Sequence, residues 1–389
     1  MKSTLSITSI ASVSPLGKSS EEIWENYKKE NHFITEADFE GNKAYAAFLP
    51  KELKTEVEKL RENSPALRSL DESVLFGILA GRAAVKQAGW ENNKKIGINI
   101  GSSRGATGLF EKYHADFLQR GKSATLASPT TTLGNISSWL AQDLNSEGPE
   151  FSHSVTCSTG LHSVLNAAAW IQAGLADKFL AGGSEAALTP FTIAQMQALK
   201  IYGNREMDYP CEALNMEKTR NSMILGEGAG ILGLEKGEAS NARAFIRGIG
   251  YATEKLKHSA SISANGECLQ KSMKMAMVNR KAEEIDAVVL HAPGTLKGDE
   301  AEVNAIRSLF GSAMPAITSN KWKIGHTFAA SGVLSLELAV LMLENQEFIN
   351  VPFSEFDKKP EKLENILVNA VGFGGNAVSV LVSCNSKTS

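Results

Sequence analysis

The sequence predicts an α/β protein made of two similar halves. Short β-branched runs alternate with longer helical patterns, which is the rhythm of strand–helix–strand units with parallel sheet. The same order of parts occurs twice along the chain, and this points to a duplicated α/β unit. No long Pro-, Gly- or Ser-rich linker divides the 389 residues.

Taken in order, residues 51–62 (KELKTEVEKLRE) read as a helix with a solvated, charged face. Residues 74–90 (VLFGILAGRAAVKQAGW) read as a helix packed by small residues, and 96–101 (IGINIG) as a buried strand. Residues 153–156 (HSVT) lead as a strand into Cys157 and the small-residue helix STGLHSVLNAAAWIQAGL. A glycine turn from Gly226 to Gly230 and a strand, ILGLE, close the first half. The boundary falls near 237–243, dividing the chain into 1–240 and 241–389. In the second half, 285–290 (IDAVVL) is a buried strand, and 317–320 (ITSN) leads into KWKIGH and the helix TFAASGVLSLELAVLML. Gly372-Phe373-Gly374-Gly375 then precedes a last strand, 378–382 (VSVLV).

Composition excludes several classes. Apolar residues make up 43% and charged residues 21%, as in an ordinary globular protein. The balance of 40 Lys+Arg against 43 Asp+Glu argues against a nucleic-acid partner. Cys157, Cys211, Cys268 and Cys384 form no C-x-x-C pair and have no histidine at ligand spacing, so no metal site is expected. The first 17 residues lack the continuous apolar core of a signal peptide, and no run suggests a membrane span. A cytoplasmic location with free thiols is the expectation.

Cys157 is the candidate nucleophile. It stands where a strand turns into a helix, and a helix start with its unpaired N–H groups should stabilise the thiolate and lower its pKa. Ser158, Thr159 and Gly160 keep that turn small. The other three cysteines read as small buried apolar residues. His326 is the matching base or hydrogen-bond donor, and Lys321, five residues earlier, is a fixed positive charge. Phe373 and Gly374 lie in a glycine turn able to aim N–H groups into a site, although a plain β-turn reads equally well from local sequence. Gly228-Ala229-Gly230-Ile231-Leu232-Gly233 matches G-x-G-x-x-G, but it runs into a strand-like ILGLE. A dinucleotide site needs a helix there, so NAD binding is rejected.

These residues resemble the β-ketoacyl-acyl carrier protein synthases of the thiolase superfamily. The resemblance rests on six segments in the family's order: ITSIASVSPLGKSSEEIWENY, VTCSTGLHS, LAGGSEAALTP, LGEGAGILGLE, SNKWKIGH and NAVGFGG. It implies a thiolase-like, duplicated, five-layered αβαβα fold, usually dimeric. It also implies that Cys157 accepts an acyl chain and that Lys321 and His326 are the family's lysine and second histidine. Phe373 would be the gating phenylalanine, whose N–H joins that of Cys157 in an oxyanion hole. The implied partners are an acyl carrier protein and a second ketosynthase subunit, as homodimer or heterodimer, with no cofactor.

One motif departs from the family. Where the family has N-A-H-G-T, this chain has His291-Ala292-Pro293-Gly294-Thr295. Proline cannot donate a hydrogen bond or exchange a proton, so the usual Cys–His–His set is incomplete. His291 and Pro293 lie two apart in an extended segment, on the same side. His291 either reaches into the site or hydrogen-bonds backbone at a strand end, and the second is preferred from the residues alone. Asp299 and Glu302 read as structural. The segment 211–225 lacks the family's R-P-F-D pattern. The first functional expectation is a condensing enzyme in fatty acid or polyketide-type biosynthesis, which condenses a Cys-bound acyl group with malonyl-carrier protein. The alternative is the partner subunit of a ketosynthase heterodimer, like a chain length factor or the aryl polyene type. Retention of Cys157 argues against a pure scaffold, and loss of the first histidine argues against an ordinary fatty-acid synthase. A CoA-dependent thiolase ranks third.

Overall fold

The structure, a computed structural model, describes residues 4–133, 135–256 and 262–385. Its strands are β1 (Leu5–Val13), β2 (Thr35–Phe39), β3 (Asn42–Ala47), β4 (Ile96–Gly101), β5 (Glu150–Phe151), β6 (Lys178–Glu185), β7 (Leu225–Gly226), β8 (Gly228–Lys236), β9 (Ala244–Thr253), β10 (Ala287–Val289), β11 (Ala316–Thr318), β12 (Asn365–Gly372) and β13 (Asn376–Cys384). Ten of them join in the order β11-β10-β12-β13-β9-β1-β8-β6-β4-β5.

That order contains the duplication. In the first half the neighbours run β5-β4-β6-β8-β1, and in the second β11-β10-β12-β13-β9. Numbering each set of five from its own first strand yields the same sequence of neighbours. Directions match too: β4 is parallel to β5 and β6, β10 is parallel to β11 and β12, and the remaining pairs in each half are antiparallel. The halves meet where β1 pairs antiparallel with β9, Leu5 opposite Ile246.

The sheet is therefore mixed rather than parallel. The second half shows the reason. Only Phe373, Gly374 and Gly375 separate β12 from β13, and a loop that short joins only antiparallel neighbours.

Three cores separate five layers. The middle core packs the helices Thr159–Gln172 and Ser331–Asn345 between the two half-sheets. Residues 331–343 of the latter are all buried, so its apolar surface goes all round, as a helix between two sheets requires. Phe328–Asn345 is apolar and long enough to cross a membrane, but 89% of it is buried inside the protein. An outer core lies beneath Glu72–Ala88 on the first half-sheet. The other lies beneath Glu267–Met277 and Leu296–Phe310 on the second. The helix Glu72–Ala88 ends at Gly89 in the left-handed conformation, which glycine adopts without a Cβ clash. The motif Gly228–Gly233 lies inside β8, between β1 and β6.

Candidate active site

Cys157 sits at the entry to the first central helix, although no strand leads into it. Residues 153–156 form no strand, β5 ends at Phe151, and the helix begins at Thr159, two residues after the cysteine. Side chains of the turn itself hold it. The Thr159 Oγ1 accepts from the Val155 N–H at 2.8 Å and donates to the Thr156 carbonyl at 2.6 Å, while the Ser158 Oγ donates to the Val155 carbonyl at 2.9 Å. Thr156 is left-handed, with φ 50°, which is costly for a β-branched residue. Gly160 is required by close approach, because a Cβ there would lie 2.4 Å from the Ala329 carbonyl oxygen.

The glycine hairpin closes on this turn. The Thr156 Oγ1 donates to the Phe373 carbonyl at 3.4 Å. A Cβ on Gly372 would lie 2.0 Å from that Oγ1 and 3.3 Å from the Cys157 nitrogen. Gly374 and Gly375 have φ of 96° and 72°, so this hairpin needs glycine. Among the described residues, the Phe373 N–H donates to no protein acceptor, and the Cys157 N–H donates to no other residue.

His326 is fixed through its backbone and its ring. Its N–H donates to the Ile224 carbonyl at 2.7 Å, and its own carbonyl accepts from Gly226 at 3.1 Å. The Nδ1 lies 2.8 Å from the Ser331 Oγ, which also accepts the Thr327 N–H at 3.1 Å. That pairing directs Nε2 toward the site. Burial, with the Lys321 charge adding to it, pushes the imidazole down to about 3, so the ring is neutral. Lys321 lies behind it, its Nζ donating to Asn320 Oδ1 at 2.8 Å and Ser335 Oγ at 3.0 Å. Both partners are neutral, and burial lowers Lys321 to about 8.

His291 corrects the expectation drawn from the sequence. Among the described residues its ring makes no hydrogen bond to backbone. Only its main-chain N–H is used, donating to Glu302 Oε1 at 3.0 Å. The ring stands edge-on to His326, with centroids 5.1 Å apart and planes at 88°. Its Nδ1 is buried without a partner. Desolvation first, then His326 and Lys321, hold the ring well below the usual histidine value.

The acidic pair beneath holds backbone, and Glu302 also borders the cavity. Glu302 grips the segment after β10 through the N–H groups of His291 and Ala292, and Asn369 donates to it at 3.1 Å. Asp299 accepts from the N–H groups of Gly294 and Leu214 and from Lys218 Nζ at 2.9 Å, in a fully buried ion pair.

A cavity of about 350 Å³ gathers Cys157, His291, Pro293, His326 and Phe373. Met196, Leu199, Ile201, Met223 and Phe328 form its apolar wall, and Phe373 is 37% exposed at its mouth. Lys321 and Gly374 do not line it. A soft wall around a few polar groups suits a flexible acyl chain.

The surroundings of the thiol raise its pKa rather than lower it, contrary to expectation. Burial, then the Glu185 carboxylate, push Cys157 up to about 12, outweighing the residue's own N–H, Arg104 and Lys321. Two effects explain this: the turn stands off the helix, and the thiol is buried beside Glu185. Sequence reading missed Glu185. Its carboxylate accepts from Ser102 Oγ at 2.8 Å and from the N–H groups of Ser103, Arg104 and Ala329, stitching both halves behind the cysteine. Its only signal was an acidic residue ending the small-residue strand LAGGSE. Ser331 was missed as well, and nothing in its local sequence marks it.

Comparison with known proteins agrees with this arrangement. The model of the β-ketoacyl synthase N-terminal domain matches residues 2–240, and that of the C-terminal domain matches 243–352. A 3-oxoacyl-[acyl-carrier-protein] synthase 2 of Staphylococcus aureus is 29% identical over 406 residues, covering 96% of this chain and 99% of that protein. The ishigamide ketosynthase/chain length factor is similar in fold, with TM-score 0.87 and 20% identity over 99% of this chain and 100% of that one. A type II polyketide ketosynthase complex, solved with its acyl-carrier protein and bound to the hexaketide, contains a chain of TM-score 0.84 and 19% identity, over 99% and 100%. The five-layered duplicated architecture is the thiolase-like one, and the chain belongs to the β-ketoacyl synthase family.

Proposed function

We propose that the protein is a condensing acyltransferase that forms an acyl thioester on Cys157 and extends it with a malonyl unit. The observation that carries this reading is one cavity holding a buried thiol, a neutral histidine and two N–H groups that donate to no other described residue. In the first half-reaction the Cys157 sulfur attacks the carbonyl of an acyl thioester and its proton passes to the departing donor sulfur, since burial holds the thiol up near 12. The carbonyl oxygen gains charge and is held by the N–H groups of Cys157 and Phe373. The donor then leaves as a thiol. In the second half-reaction a malonyl thioester loses CO₂. The electron pair of the broken carbon–carbon bond moves into the thioester enolate, and the enolate carbon attacks the acyl group on Cys157. The cysteine thiolate departs and is reprotonated, which restores the enzyme and releases a 3-oxoacyl thioester.

Phe373 would gate the cavity mouth on the glycine hairpin, with Gly374 as its hinge, and Lys321 would stabilise negative charge beside His326. We take the thioester carrier to be an acyl carrier protein, by likeness to the relatives, and the setting to be cytoplasmic. The working form would be a dimer, of two copies or with another ketosynthase. Pro293 favours keeping the second reading, a heterodimer subunit whose own condensation is reduced. The test uses the hexanoyl thioester of N-acetylcysteamine and intact-mass and peptide mass spectrometry. An acyl adduct on Cys157, absent from Cys157→Ala, is expected. An adduct of equal amount on Cys157→Ala would overturn the assignment.

A further inference from the structure

We propose that His291 supplies the hydrogen bond to the malonyl thioester oxygen that Pro293 cannot supply. This deepens the reading above and rests on it. Decarboxylation places negative charge on the thioester oxygen as the carboxylate carbon leaves, so donors aimed at that oxygen lower the barrier. His326 is one donor. A second is needed beside it, and the segment that carries Pro293 offers none at that position.

Three observations place His291 there. Its ring lines the same cavity as Cys157 and His326. Its centroid is 5.1 Å from that of His326, close enough for both rings to reach one oxygen. Neither of its ring nitrogens bonds to another described residue, whereas buried polar groups nearly always find a partner. Nδ1 is sealed from solvent, which leaves Nε2 as the nitrogen that the cavity reaches. A proton on Nε2 lets that N–H find an acceptor in a bound substrate, and on this ground the donor tautomer is assigned.

The backbone explains how a shift of two residues is accommodated. Glu302 clamps the N–H groups of His291 and Ala292 at 3.0 and 2.8 Å. Asp299 clamps the Gly294 N–H at 3.0 Å, and Gly294 has φ 91°. One carboxylate holding two successive N–H groups turns the backbone there, and the side chains of His291 and Pro293 both border the cavity. Burial keeps the ring neutral, so it donates without adding a buried charge. In the step itself the carbon–carboxylate bond breaks, CO₂ leaves, and the electron pair becomes the enolate, whose oxygen both N–H groups hold. No proton is transferred by His291.

The experiment compares wild type, His291→Ala and His291→Gln, with two probes. The malonyl thioester of N-acetylcysteamine reports CO₂ release, and the hexanoyl thioester reports acylation of Cys157. His291→Ala should lower CO₂ release by about 10²-fold, the low end for loss of a positioned donor, with acylation unchanged. His291→Gln, which keeps an N–H donor, should recover much of that loss. A merely structural role would depress both reactions together, and that result would overturn the proposal. CO₂ release unchanged in His291→Ala, or wild-type release no faster than buffer, would overturn it too. Failure of wild type to acylate Cys157 would instead remove the parent reading.

Discussion

Gly372→Ala should disable the nucleophile without unfolding the protein. A Cβ at 372 would lie 2.0 Å from Thr156 Oγ1, 2.8 Å from the Val155 carbonyl oxygen and 3.3 Å from the Cys157 nitrogen. Ordinary contact is near 3.5 Å, so something must move by more than about 1 Å. The strand end resists, because β12 pairs with β13 along its whole length, from Asn365 opposite Ser383 to Gly372 opposite Asn376. Thr156 already sits at φ 50°, so the turn gives way and carries Cys157 with it. A misplacement of ~1 Å costs about 10²-fold, and losing an oxyanion donor costs ~10²–10³. Acylation should therefore fall by roughly 10²–10³, while overpacking removes about 1–3 kcal/mol of stability. The assay is single-turnover acylation by the hexanoyl probe, followed by intact mass, beside thermal unfolding by circular dichroism. Gly311→Ala is the control. Gly311 has φ 55° with nothing within 4 Å of a new Cβ, so that variant pays backbone strain far from the turn. A folded Gly372→Ala that acylates at the wild-type rate, or a Gly311→Ala equally impaired, would refute the reasoning.

Three further outcomes follow from the geometry. The rate of Cys157 alkylation by iodoacetamide should keep rising with pH beyond 9, because burial and Glu185 hold the thiol up near 12; a plateau below pH 8 would contradict this. Ser331→Ala should slow CO₂ release from the malonyl probe by about tenfold through the unpaired His326 Nδ1, roughly the 1–3 kcal/mol of a lost buried partner; an unchanged release rate would show that the serine does not set the ring. Glu337, fully buried with Ser12 Oγ at 2.8 Å, has its carboxyl raised from 4.5 to about 7 by burial. Its folded pKa lies above the unfolded one, so its ionisation cost is absent below pH 4.5 and is fully felt above pH 7. The full shift corresponds to about 3 kcal/mol. Glu337→Gln should accordingly raise Tm at pH 8 but not at pH 4.5, and an equal change at both would exclude the linkage.

Local sequence carried whatever depends on a few consecutive residues. The small-residue helix after Cys157, the SNKWKIGH segment and the Gly372–Gly375 turn were legible because turn sterics and periodicity act over one or two helical turns. The duplication was legible because the same order of parts occurs twice. Tertiary packing decided the rest. Whether strands run parallel or antiparallel depends on which neighbour each finds, and the short β12–β13 hairpin shows the local part of that choice. The thiol's protonation is a burial effect, set by Glu185 in the strand LAGGSE and by the second half closing over the turn, so the helix-start argument pointed the wrong way. The direction of the His291 ring depends on Glu302 and Asp299 gripping its backbone from a helix that follows it. A histidine's neighbours in sequence say nothing of what lies across a cavity, and the 5.1 Å approach to His326 exists only once both segments reach the same sheet edge.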